Sequence, residues 1–113
     1  MSNFNALEEF NKEFKRLFKK YKTLEDDFEK FKKVLLTTPT GVGKNFVIIH
    51  SSSTIRIVKA RMACRALRDP SLRIIYSYSE QEQRIEFIEL YFKGDKENED
   101  RERIKEYLKN QED

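Results

Sequence analysis

The sequence predicts an α+β fold: an N-terminal antiparallel helix hairpin packed on a four-stranded antiparallel sheet, with a C-terminal helix. Three observations predict it. Aromatic residues and leucines recur at helical spacing up to about residue 36. Alternating stretches rich in β-branched and aromatic residues, joined by short polar turns, fill residues 46–93. A charged amphipathic stretch then follows the break at Gly94 and Asp95. At 113 residues the chain is expected to be one domain with one core, for which nine Phe and five Tyr are available.

The first helix is expected over residues 6–21, where Phe10, Phe14, Leu17, Phe18 and Tyr21 form a stripe between lysines. Residues 4–7 are also compatible with a short leading strand, which would make the sheet five-stranded. A break at Lys22 and Thr23 separates this helix from a second. Thr23 is a good N-cap type with Asp26 three residues on, and Glu25, Asp26 and Asp27 suit the positive end of a helix dipole. The second helix runs to about Leu36 on Leu24, Phe28, Phe31 and Leu35. So short a connection implies an antiparallel hairpin.

Residues 37–45, TTPTGVGKN, read as a loop. TGVGK resembles the end of a phosphate-binding P-loop, but Thr38 and Asn45 stand where that motif needs Gly and Ser or Thr. A strand follows instead of a helix, so no helix N-terminus is offered to a phosphate. Gly41 and Gly43 are read as turn glycines.

Strands are expected at residues 46–50, 54–62, 72–79 and 84–93, and short links make neighbours antiparallel. On the last of these, Ile85 and Phe87 are expected to face one way and Ile88, Leu90 and Phe92 the other, as in a strand covered on both faces. The final helix is expected over residues 97–109, with Ile104, Tyr107 and Leu108 as a narrow apolar stripe.

Composition limits function. No apolar run approaches the ~20 residues that span a bilayer, and no secretory segment is read after Met1. A lone cysteine, Cys64, leaves no intramolecular disulfide and fits a reducing cytoplasm. One Cys and one His, His50, are too few for the usual zinc site, so neither metal nor cofactor is expected. The net charge of +3 is segregated: residues 46–93 carry 8 basic and 5 acidic side chains, whereas residues 94–113 carry 5 and 8.

The basic surplus centres on the strand pair around residues 55–78. From Arg56 to Arg73 there are six basic residues, five of them arginine, and a single acid, Asp69. Arginine's planar fork pairs bidentately with phosphate or carboxylate, so this choice points to an oxyanion-facing surface. Strand alternation puts Ile55, Ile57, Lys59 and Arg61 on one face, and Arg73, Ile75 and Ser77 on one face of the next strand. In an antiparallel pair Lys59, Arg61 and Arg73 then converge, beside Arg65 and Arg68 on the adjoining loop. Such a cluster binds a phosphodiester backbone, or stabilises charge on phosphate in a transition state. A solvated basic edge that discourages aggregation is the plainer alternative. Cys64 has no His partner in the pattern and is read as a small core or loop residue. Tyr76, Tyr78 and Tyr91 are read as sheet-packing residues, with base stacking as the alternative.

The order of elements resembles the RelE/ParE superfamily of bacterial toxins. The carriers are FKRLFKKYKTLEDDF at 14–28, KAR at 59–61, LRIIYSY at 72–78, and FIELYFKGDKENED at 87–100 followed by a helix. The resemblance covers nearly the whole chain and rests on order and spacing. It implies a cytoplasmic toxin neutralised by a cognate antitoxin wrapped around it, acting as an endoribonuclease on mRNA in the ribosomal A site. In that family lysine and arginine side chains on the concave sheet face carry the chemistry. Lys59, Arg61 and Arg73 match those catalytic positions; Arg56, Arg65, Arg68 and Lys93 are the expected RNA-binding set. The sequence departs from the pattern at the C-terminus, where a functional Tyr or His is common, and Tyr107 lies too far into the helix to match. Relatives of ParE type share the fold and inhibit gyrase without nuclease chemistry, so a non-catalytic binding protein and a plain RNA-binding module are the alternative readings.

Overall fold

The computed structural model describes residues 3–69 and 71–111. The elements are β1 (Asn3–Ala6), α1 (Glu8–Lys20), α2 (Leu24–Thr37), β2 (Phe46–Ser51), β3 (Arg56–Met62), β4 (Leu72–Ser79), β5 (Arg84–Phe92) and α3 (Arg101–Gln111). The sheet order is β1-β5-β4-β3-β2, with β1 parallel to β5 and the other neighbours antiparallel. The leading strand therefore exists. Phe4 stacks on Phe87 at 5.9 Å between ring centroids, which ties β1 to its partner through the core.

The helix hairpin covers one face of the sheet. Glu8 and Glu9 open α1 and Lys19 and Lys20 close it, matching the helix dipole at both ends. Its buried Phe10 and Leu17 join Leu24, Phe31 and Leu35 of α2 against Val58, Ala60, Met62, Leu72, Ile74, Tyr76, Ile85, Phe87 and Leu90. Phe10, Phe28 and Phe87 form a ring cluster with centroids 4.9–5.7 Å apart. The Tyr76 hydroxyl, buried among these groups, donates to Pro39 O at 2.7 Å and so escapes an unsatisfied burial. Gly41 and Gly43 adopt φ of +74° and +89°, and a Cβ on Gly41 would meet the Phe46 ring, so the loop is a turn built on glycine.

Thr23 does not cap α2. Its backbone is already in the helical region (φ −84°, ψ −3°), and its side chain makes no capping hydrogen bond. Its hydroxyl instead accepts the Ala66 N–H at 3.1 Å and touches Cys64 Sγ at 3.5 Å. A tertiary contact with the β3–β4 loop has taken the group that local sequence would assign to a cap.

The expected alternation of β5 fails at one point. Tyr76 pairs with Phe87 but Ile75 pairs with Glu89, so Ile88 is an extra residue in a β-bulge. The bulge returns Leu90 and Phe92 to the side of Ile85 and Phe87, and leaves Ile88 with Ile55, Ile57, Ile75, Ile104 and Tyr107 in a second core under α3. Its position has a physical reason. The β1 pairing ends at Ala6–Phe87, so from Ile88 onward β5 has no strand on that side. Side chains take over the edge: Glu13 accepts the Leu90 N–H at 3.1 Å, and Arg103 donates to Ile88 O at 2.9 Å. Arg103 and Glu13 are themselves paired through two contacts of 2.9 and 3.0 Å.

Helix α3 begins at Arg101, later than the sequence suggests. Residues 95–100 are held as a strap across the sheet: Lys96 pairs with the fully buried Glu89, whose other oxygen accepts the Asp100 N–H at 2.8 Å. The Asp100 side chain then caps the helix by accepting the Arg103 N–H at 3.0 Å. Among the described residues no helix is long and apolar enough to cross a membrane.

Candidate oxyanion site on the sheet

The face opposite the hairpin is apolar at one end and charged at the other. Its residues fall in rows across the strands. Arg61 of β3 lies opposite Arg73 of β4, which lies opposite Tyr91 of β5. In the next row, Val47, Lys59, Ile75 and Glu89 follow one another from β2 to β5. A third row holds His50, Ile57, Ser77 and Glu86, and α3 covers this end. There the Tyr107 hydroxyl donates to Glu86 at 2.7 Å; its single hydrogen thus committed, it accepts from Ser77 at 2.7 Å. Tyr107 is therefore a packing and anchoring residue, remote from the arginine row.

Lys59, Arg61 and Arg73 are brought together. Arg73 is 7% exposed and its guanidinium donates to Leu72 O at 3.3 Å. Burial, and then the neighbouring Arg61 charge, hold its pKa below the usual arginine value, with Tyr91 acting in the opposite sense. Two like charges directly across an antiparallel pair repel, and a site built this way gains from any anion placed between them. Tyr91 is 4% exposed, and its hydroxyl has no hydrogen-bond partner of normal geometry among the described residues. Burial pushes its pKa up, while the nearby Lys59 charge pulls the other way.

Lys59 is occupied. Its ammonium lies 2.9 Å from a Glu99 carboxylate oxygen, and the two side chains are 26% and 10% exposed. The Glu99 hydrogen bond raises the Lys59 pKa against the opposing effect of burial. Burial alone would raise the Glu99 pKa, but Lys59 holds it below the ordinary carboxylate value. Both groups therefore stay ionised at neutral pH.

The other four arginines and lysines singled out by sequence are dispersed. Arg56 pairs with Tyr78 on the opposite face, at the far end of β3. Arg65 is turned to α2: its N–H donates to Asp27 at 2.9 Å, and its guanidinium reaches Asp27 at 3.2 Å and Asp26 at 3.4 Å. Arg68 and Lys93 are exposed, one in the β3–β4 loop and the other just past β5, at the end of the sheet where Arg61 and Arg73 lie. The Lys93 N–H donates to Ser71 O at 2.8 Å, which fixes its backbone beside that loop.

Sequence reasoning missed Glu89 and Glu99 and gave Tyr91 a packing role, with base stacking as the alternative. The signal for Tyr91 was its register opposite Arg73, which follows once the bulge is placed. Glu99 had only the acidity of residues 95–100 to mark it, and a loop has no periodicity from which to read direction.

No family model matches the sequence, and no curated protein does. Solved structures do match. A chain of the archaeal RelE–RelB complex from Pyrococcus horikoshii OT3 superposes with a TM-score of 0.64 at 18% identity, over 82% of this chain and 96% of that one. This chain has the RelE-type fold. The conserved hypothetical protein HP0892 from Helicobacter pylori superposes with a TM-score of 0.55 at 16% identity, over 83% of this chain and 97% of that one. At these identities the likeness is one of backbone path.

Proposed function

We propose that this protein is the toxin of a toxin–antitoxin system and cuts mRNA on the ribosome, with Arg61, Arg73 and Lys59 as the groups that meet the scissile phosphate. The observation that carries this reading is the Arg61–Arg73–Tyr91 row, with the Lys59 ammonium in the adjacent row. In such cleavage a ribose 2′-oxygen attacks the adjacent phosphorus and loses its proton to water; the 5′-oxygen leaves and gains one. Charge builds on the non-bridging oxygens, and the two guanidinium forks stabilise it. Lys59, kept protonated by its raised pKa, serves as a charge partner or proton donor at this step and not as a base. Arg68 and Lys93 extend positive charge beyond the row and are assigned to the RNA backbone. The antitoxin partner is proposed from the RelE-type fold and from the neighbour's assembly with RelB.

The test is primer-extension mapping of mRNA after brief induced expression in a bacterium, beside a variant with Lys59, Arg61 and Arg73 all changed to Ala. Cuts in translated frames that vanish in the variant support the reading. Cuts that persist in the variant remove the site assignment.

One observation favours a second reading, a non-catalytic protein of the same fold: Glu99 already neutralises Lys59. Growth arrest without mRNA cuts, together with inhibition of purified gyrase in a supercoiling assay, would establish that reading.

A further inference from the structure

The site contains its own anion, and three features of Glu99 define what it does. First, its carboxylate sits on Lys59 at 2.9 Å, where an RNA phosphate oxygen would be received under the function proposed above. Second, the strap that carries it is fastened on both sides, by Lys96 on Glu89 and by the Asp100 N–H on the same carboxylate. Glu89 lies in the same row of the sheet as Lys59, with only Ile75 between them, so the fastening is aligned with the residue that Glu99 covers. Third, a second cation stands on the other side. The remaining Glu99 oxygen is 3.8 Å from Arg101 Nε, and Arg101 is 76% exposed. A groove of about 470 Å³, lined by Ile49, His50, Arg101, Ile104, Lys105 and Leu108, opens beside Glu99.

We infer that Glu99 is an internal counter-anion for Lys59, which a phosphodiester must displace toward Arg101 before all three basic side chains can engage it. This rests on the nuclease reading of the site and adds its regulation. The basal state is one in which Glu99 closes Lys59 to an outside anion. If Lys59 is open about a tenth of the time, apparent affinity falls about tenfold below that of the open site. Anything that stabilises Glu99 on Arg101 would then raise activity without touching the RNA.

The experiment measures binding of the protein to ribosomes programmed with an uncleavable 2′-O-methyl mRNA across a salt series. The unaltered protein is compared with Glu99→Gln, Glu97→Gln, Lys59→Ala and the Lys59→Ala/Glu99→Gln double variant. Glu97→Gln removes the same charge from an exposed position on the same strap. Glu99→Gln is expected to bind about tenfold more tightly than wild type. Glu97→Gln is expected to gain less than about twofold. The gain from Glu99→Gln is expected to be largely lost when Lys59 is already Ala. Glu99→Asp, which keeps the charge on a shorter arm, should fall between wild type and Glu99→Gln, and covers the case in which Gln loosens the strap. Equal or weaker binding by both Glu99 variants overturns the inference, as does an equal gain from Glu97→Gln. An Arg61→Ala/Arg73→Ala variant separates the two levels. If it abolishes binding while Glu99→Gln changes nothing, the site stands and the counter-anion falls. If neither it nor Lys59→Ala affects binding, or if no variant binds, the nuclease site and the counter-anion fall together.

Discussion

Strands β3 and β4 show two different surfaces with the same backbone. On the hairpin side, Val58, Ala60, Met62, Leu72, Ile74 and Tyr76 are all buried among apolar neighbours. On the other side, the residues between them are Ile57, Lys59, Arg61, Arg73, Ile75 and Ser77, and the charged ones gather at one end. The pleat separates these roles by a single residue step. The hairpin face supplies the burial that stabilises the fold. The opposite face spends part of that stability on like charges held side by side. A protein can tolerate the second surface because the first is continuous and well packed.

The largest effect expected belongs to the hairpin face. Phe87→Ala removes a 2% exposed ring packed against Phe4, Phe10, Phe28 and Tyr76, and should cost about 3–5 kcal/mol, read by urea denaturation. A loss below about 1 kcal/mol would break the division of roles. Next comes the charged row. Arg73→Gln should lower mRNA cleavage by about 10²–10³-fold, the scale of one lost electrostatic stabiliser, with the far-ultraviolet circular dichroism of the wild type retained. Loss of fold along with activity would show instead that Arg73 is a core residue.

A third prediction concerns the contact between α2 and the β3–β4 loop. Asp27 is pushed upward by burial, but the Arg65 N–H, Thr23, Cys64 and the Arg65 charge together bring its pKa below the ordinary value. A carboxylate depressed in the folded state adds stability that is present above the unfolded pKa near 4 and is lost as pH falls through the lower folded value. Asp27→Asn should therefore cost about 1–2 kcal/mol at pH 7 and flatten the acid limb of a stability–pH curve below about pH 4. An unchanged acid limb would show that Asp27 does not link the loop to pH. The smallest effect has the opposite sign. Arg61→Ala relieves the repulsion across from Arg73 and should raise stability by about 0.5 kcal/mol while weakening growth arrest. A drop in melting temperature would mean that the arginine pair is not under strain.

How much of this could be read beforehand differed from element to element. The two helices, β4 and the face shared by Lys59 and Arg61 follow from periodicity, because periods of 3.6 and 2 fix direction as well as type. The departures share a cause. Thr23 has the composition of a cap but is used by Ala66 and Cys64. Ile88 interrupts an alternation that is otherwise regular, because β1 is too short to pair the rest of β5. Arg56 and Arg65 have the right charge and the wrong place: one lies across the sheet, and the other is bound to Asp27. In each case a partner distant in sequence decided the outcome.

By itself the sequence determined the fold class, the hairpin, the strand alternation and the basic character of the β3–β4 pair. These are local properties, set by side-chain type and spacing within a dozen residues. Only the tertiary structure decided that Arg61, Arg73 and Tyr91 form one row, that β5 is bulged at Ile88, and that Glu99 lies on Lys59. Register across strands and the path of a loop are fixed by which distant groups satisfy each other's charge and hydrogen bonds. No period in the chain encodes that choice.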